Sequence, residues 1–191
     1  MADIFTLEQR VDKCRLCSLW EERHRIVVGE GSPCSKAMLV GEAPGAREDE
    51  MGRPFVGRSG KFLSELMKEA GVSRDSFYIT NMVKCRPPEN RKPKECEIEA
   101  CRAFLEEQIL FFAPDLILTV GNTPTQWFLN TKKGMTALRG QFYPWKFQGR
   151  SLLIRPLFHP SYLLRNRSRE EGHPLAQTLL DLQEVKKFFE K

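Results

Sequence analysis

Four short apolar runs, each followed by a polar, glycine- or proline-bearing loop and then by a helical stripe, are what most limit the folds open to this chain. They cover residues 36–41, 77–83, 116–120 and 152–158. The third, Leu116-Ile-Leu-Thr-Val120, is apolar enough for a strand covered on both faces. Between the runs the period changes to that of a helix. Residues 57–70 align Phe62, Leu63, Leu66, Met67 and Ala70 and stop at Gly71. Residues 94–113 align Ile98, Cys101, Leu105 and Ile109, and residues 174–189 align Leu175, Leu179, Leu182 and Val185. Residues 121–129 begin another helix, with Thr123 as its expected cap and Pro124 in its first turn. A shorter stripe, Ile4, Leu7 and Val11, leads into Cys14-Arg-Leu-Cys17, and residues 131–149 read as a hairpin or irregular excursion around Tyr143, Pro144 and Trp145. Strands alternating with helices predict an α/β domain on a four-stranded, mostly parallel sheet covered on both faces. At 191 residues, one domain over residues 1–191 is expected.

Composition excludes some partners and leaves others. Charged residues at 29% and hydrophobic residues at 41% lie in the globular range. A formal net charge of +5 fits an anionic partner, though only weakly. No run is long enough to span a bilayer, and the start, MADIFTLEQRVDKC, lacks the pattern of a secretory signal. A cytoplasmic protein without membrane association is expected. The six cysteines then point to metal or catalysis before disulfides.

The segment after the first run, GEAPGAREDEMGRPFVGRSG (41–60), holds five glycines, two prolines, the acids Glu42, Glu48, Asp49 and Glu50, and Phe55. Such a backbone suits close approach to a ligand, and charged and aromatic residues on a loop anchored by a strand and a helix read as a site. The second run opens into residues 84–93, with three prolines and four basic residues, a fixed and positively charged loop. In parallel sheets, ligands bind outside the carboxyl ends of the strands. The loop at Gly41, residues 81–91, Gly121-Asn122 and residues 159–165 all follow strands, so one crevice can collect them.

Three motifs, GEAPGAREDEMGRPFVGRSG, ITNMVKCRPPENRKP and HPSYLLR, preceded by a CxxC, resemble the family 4 uracil-DNA glycosylases of bacteria and archaea. The resemblance runs in order from about Cys14 to Arg165. It implies a three-layer αβα sandwich, hydrolysis of the N-glycosidic bond of uracil in DNA, and a [4Fe-4S] cluster held by Cys14, Cys17, Cys85 and Cys101; the expected partner is uracil-containing DNA, single- or double-stranded, and the expected state a monomer. Spacing alone leaves zinc equally open, because tetrahedral sulfur ligation suits both. Cys34 and Cys96 fall outside the pattern. By the same resemblance, Gly41 and Phe55 shape the base pocket, with Phe55 stacking on uracil. Asn81 reads its edge and His159 donates toward O2. Glu42 and Asn90 face the sugar, Glu42 being the first candidate to activate water and Asn90 the second. Where the best-known family of these enzymes has Gln-Asp-Pro-Tyr, this loop reads Glu42-Ala43-Pro44-Gly45, without the aspartate that assists water or the tyrosine that excludes thymine. A related branch uses a histidine in a basic stretch to bond covalently to DNA; residues 90–94 have none, which places the chain with the hydrolytic members.

The chemistry points the same way. Breaking a C1′–N bond leaves positive character on the sugar and negative charge on the base, so the site needs anions beside the one and a donor beside the other. Glu42 suits the first task and His159 the second, whereas His24 and His173 read as structural. Extruding a base costs roughly a few kcal/mol. Leu163 and Leu164 are the candidates to fill the vacated stack, with core packing equally open for both. Lys84, Arg86, Arg91, Ser161, Arg165, Arg167 and Arg169 are the candidate phosphate contacts. Two other classes remain open: a non-catalytic, metal-holding nucleic-acid-binding module, and a hydrolase of free nucleotides.

Overall fold

The computed structural model describes residues 4–190. In chain order the elements are α1 (Ile4–Asp12), β1 (Ala37–Gly41), α2 (Ala46–Met51), α3 (Arg58–Glu69), β2 (Phe77–Asn81), α4 (Glu95–Phe112), β3 (Leu116–Val120), α5 (Asn122–Leu129), α6 (Met135–Leu138), β4 (Tyr143–Phe147), β5 (Arg150–Leu157), α7 (Pro160–Leu163) and α8 (Pro174–Phe189). The sheet order is β2-β1-β3-β5-β4; the first four strands in that order run parallel and β4 runs antiparallel to β5. The sheet therefore has five strands, where four were expected. The extra one is the unplaced excursion, which folds as a hairpin. Gln148 (φ 48°) and Gly149 (φ 77°) both turn through the left-handed region, as the tight turn of a twisted hairpin requires.

Alternation along the strands sorts the core onto two faces. Ala37, Leu39, Phe77, Ile79, Leu116 and Leu118 pack with Leu63, Leu66 and Met67 of α3 and Leu182 and Val185 of α8. Met38, Val40, Tyr78 and Ile117 pack with Leu105, Ile109 and Phe112 of α4 and Phe128 of α5. This is the three-layer αβα sandwich. A third cluster joins Leu7 and Val11 of α1 to Phe104 of α4, with Cys85 and Cys101 among its members. No helix among the described residues is long and apolar enough to cross a membrane.

From β1 the chain crosses to β2 on one side, while β3 lies on the other. The loops after β1 and β3 thus diverge, which opens a crevice at the carboxyl edge between them.

Candidate active site

The crevice at that switch point is a cleft of about 670 Å3 lined by residues from all four loops, among them Glu42, Phe55, Asn81, Asn90, Asn122 and His159. That size and position fit a small-ligand site.

Phe55 forms one wall in a conformation its residue type rarely adopts, with φ at 51°. Several contacts hold it there. Glu48 Oε1 accepts the backbone N–H of Val56 (2.9 Å) and of Gly57 (2.7 Å), and Arg74 donates to the carbonyl of Pro54 at 2.8 Å. The carbonyl of Phe55 lies directly against Gly60, where a Cβ would stand 2.1 Å from it. Gly41 has the same function on the opposite side. A Cβ there would meet Asn81 Oδ1 at 2.4 Å and the Phe55 ring at 2.5 Å, so the missing side chain lets ring and amide close on each other.

Asn81 ends β2 in register with Gly41 and is 2% exposed. Its side-chain amide has no hydrogen-bond partner among the described residues, while its carbonyl accepts Lys84 Nζ at 2.7 Å. A nearly buried amide with both functions free is costly unless something docks against it.

His159 caps α7. Its Nδ1 accepts the backbone N–H of Ser161 at 3.2 Å and lies 2.7 Å from the Ser161 hydroxyl. A backbone N–H can only donate, so the neutral ring carries its proton on Nε2. Burial pushes the His159 pKa below its usual value, partly offset by the Glu42 carboxylate. The result is a neutral imidazole with one donor to offer. Gly121 (φ 93°) leaves room for it, since a Cβ there would lie 3.2 Å from that of His159. Glu42 accepts the hydroxyl of Thr123, which orients the carboxylate from across the switch point. Asn90 stands at φ 57° and its Oδ1 accepts Arg86 Nε at 2.9 Å, tying the proline-rich loop together.

The structure redirects several expectations. Lys84 cannot meet a phosphate. It is fully buried and donates to Thr80 Oγ1 (2.7 Å), the Asn81 carbonyl (2.7 Å) and Gln108 Oε1 (2.6 Å). Burial pulls its pKa down to about 8. Leu163 is core, leaving the half-buried Leu164 as the candidate wedge, with the exposed Tyr162 beside it. Arg169 is paired with Glu69 and Arg91 with Glu97, and Arg167 lies over the Phe62 ring. Ser161 gives its hydroxyl to His159, and Thr123 lies inside α5, whose cap is Gly121. Arg58 and Lys92 on the cleft and Arg165 near it have no side-chain partner among the described residues. Sequence reasoning missed Glu48 as a clamp and Arg58 as a free cation. The spacing of Glu48 eight residues before Val56 carries no local signal, because the bond is made by a loop folding back.

Cys14, Cys17, Cys85 and Cys101 line one small enclosed space with Lys84, Trp20 and Phe104. Burial raises the thiol pKa values of Cys17, Cys85 and Cys101, that of Cys101 to about 11, and Arg23 donates to Cys85 Sγ at 3.1 Å. The donor set is all sulfur. No group of three or more acid, histidine or cysteine side chains among the described residues is drawn together as a single ion would require. Cys34 and Cys96 are exposed, apart from this space.

Residues 28–183 match the model of the uracil DNA glycosylase superfamily. A type-4 uracil-DNA glycosylase of Thermotoga maritima is 45% identical over 186 residues, 97% of this chain and 94% of that protein. One from Sulfurisphaera tokodaii is 42% identical, covering 87% of this chain and 78% of the relative, and one from Saccharolobus solfataricus is 42% identical over 87% and 79%.

Proposed function

The chain belongs to the uracil DNA glycosylase superfamily, and we propose that it excises uracil from DNA by hydrolysis, with the switch-point cleft as its active site. The observation that carries this is the convergence in one cleft of an aromatic wall, a partnerless buried amide and a neutral histidine with a single free N–H. Phe55 stacks on the flipped base. The Asn81 amide donates to O4 and accepts from N3–H. His159 Nε2–H donates to O2.

As the C1′–N1 bond lengthens, its electron pair moves onto the base and charge gathers on O2. The His159 hydrogen bond strengthens as that happens, which lowers the barrier without a proton changing hands. Glu42, oriented by Thr123, faces the sugar, stabilises its cationic character and takes the proton of the water that adds to C1′. Asn90 stands at the same rim as the second polar group. Gly41 keeps ring and amide close enough to grip one base. Arg86, Arg58, Lys92 and Arg165 meet phosphates, and Leu164 enters the stack the base has left.

The cysteine centre fits a [4Fe-4S] cluster. Its donors are four thiols in a space that Val11, Trp20 and Phe104 shield, the all-sulfur set such a cluster takes. Cys14, Cys17, Cys85 and Cys101 would hold it. The cluster, when bound, supplies a cross-link between the N-terminal segment, the proline-rich loop and α4, away from the reacting bond. A thiolate-held centre also fits work in the reducing cytoplasm.

Oligonucleotides carrying one uracil, single-stranded and paired, test the reading when treated with the protein and then cleaved at abasic sites. Breaks at uracil are expected in both. Bound but uncut DNA would mean a binding module, and release of uracil from free nucleotides alone would mean a nucleotide hydrolase.

A further inference from the structure

Lys84 is the largest charged side chain wholly enclosed in the fold, and nothing in the proposed chemistry uses it. All three of its ammonium protons are spoken for, by Thr80 Oγ1 (2.7 Å), Gln108 Oε1 (2.6 Å) and the carbonyl of Asn81 (2.7 Å). The acceptors are themselves fixed. Thr80 donates to the carbonyl of Val28 at 2.6 Å, and Gln108 donates to that carbonyl and to the Tyr78 hydroxyl, both at 2.8 Å. No carboxylate among the described residues pairs with Lys84. The groups that favour its charge are the sulfurs of Cys85 and Cys101. Its own backbone N–H donates to Cys101, and the residue lines the same enclosed space as the four thiols. A buried cation is costly unless its burial is offset, and among the described residues Cys85 and Cys101 are the charge-bearing groups that favour the ammonium.

We propose that Lys84 is a positioning residue that joins the cysteine centre to base recognition. On one side its charge is balanced by the thiolates, and on the other it grips the main chain of Asn81 and so fixes the amide that reads uracil. This rests on the functional reading above. Groups one step beyond a metal's ligands commonly change affinity or activity by about 10- to 100-fold when removed.

The test is Lys84→Met, which keeps length and removes charge and donors, beside the milder Thr80→Val, which removes one acceptor. Each is purified anaerobically and measured in four ways: iron per chain, the rate at which visible absorbance bleaches in air, DNA affinity, and single-turnover excision at saturating DNA. Lys84→Met is expected to bleach about 10-fold faster and to excise uracil about 10- to 100-fold more slowly, with DNA affinity within about twofold. Thr80→Val is expected to shift the same two readouts less. A merely structural lysine would lower the melting temperature and leave the saturated rate of folded protein unchanged; that outcome, or a parental bleaching rate, overturns the proposal. Should Lys84→Met not fold, Thr80→Val decides by the same readouts. Zinc in place of iron in the parent protein would overturn the cluster reading but leave four thiolates beside Lys84; metal retained per chain then replaces bleaching as the readout of that arm, and the saturated excision rate still decides the arm to Asn81.

Discussion

His159 offers one donor because Ser161 occupies the other ring nitrogen and burial disfavours the charged ring. Replacing it by Ala removes the hydrogen bond proposed to strengthen in the transition state, so single-turnover excision is expected to fall by about 100-fold or more while DNA affinity, set by phosphates, stays close to parental. The lowered pKa has a sign that can be checked. The unfolded chain binds the proton first, near pH 6.5, so the contribution of neutral His159 to stability is fully present above about pH 6.5 and is lost as pH falls from there toward the lower folded value. Denaturant midpoints from pH 7.5 to 5 should therefore fall less steeply in His159→Gln than in the parent. Asn81→Asp offers an acceptor where cytosine presents N4. It is expected to lose much of the uracil activity and gain a trace on unpaired cytosine, and unchanged uracil release would mean another group reads the base. Phe55, Asn81 and His159, which the motif resemblance singled out, all line the one cleft. The burial of Lys84 was not legible: it lies in the same basic loop as Arg86, and charge counts say nothing of which way a side chain points. Its neighbours Met82 and Val83, both buried, were the available hint.

The elements that shape the cleft are short, and their conformations depend on contacts made far along the chain. The loop between α2 and α3 is an example. Phe55 is held at positive φ by Glu48 behind it and by Gly60 below it, in the first turn of α3. Alanine is ordinarily favoured over glycine in a helix by about 1 kcal/mol. At Gly60 the sign should reverse, because the new methyl would meet backbone atoms of Phe55 at 2.1 Å and overpacking of this kind costs about 1–3 kcal/mol. Gly60→Ala is therefore expected to lower stability and to slow excision at saturating DNA by at least about 10-fold, since the wall moves. Glu48→Ala, which leaves the N–H groups of Val56 and Gly57 without their carboxylate, should do the same through the other support. A Gly60→Ala protein with a higher melting temperature and full activity would remove the strain argument. The four parallel strands and the long helices were legible because their periodicity is strong and their bounds lie beside glycine or proline. The fifth strand was not. Its pattern is half-exposed throughout, with Pro144 and Lys146 in it, and its turn is Gln-Gly where the common signal is Asn-Gly.

Across the whole molecule, topology brings four loops to one edge of the sheet, and the proposed cysteine centre would tie one of them to the segment that follows α1. Cys14 and Cys17 follow α1, Cys85 begins the proline-rich loop and Cys101 lies on α4, so a cluster held by all four would close long loops between these segments. The packing beneath it is a small cluster centred on Leu7, Val11, Leu19 and Phe104, distinct from the two faces of the sheet. Removing one ligand should therefore release the N-terminal segment and the loop before it disturbs the strands. Cys17→Ser is the appropriate substitution, since Cys17 is half-buried and its loss leaves the sheet core intact. Anaerobically purified Cys17→Ser is expected to contain less iron, to melt at a lower temperature, and to show faster amide exchange in residues 4–27 and 84–93 than in β1 and β3. Excision should decline with it, because Asn90 and Arg86 ride on the loosened loop and Lys84 reaches Asn81 from its start. If exchange rises uniformly through the sheet instead, the centre is part of the global fold; if neither iron nor exchange changes, Cys17 is no ligand.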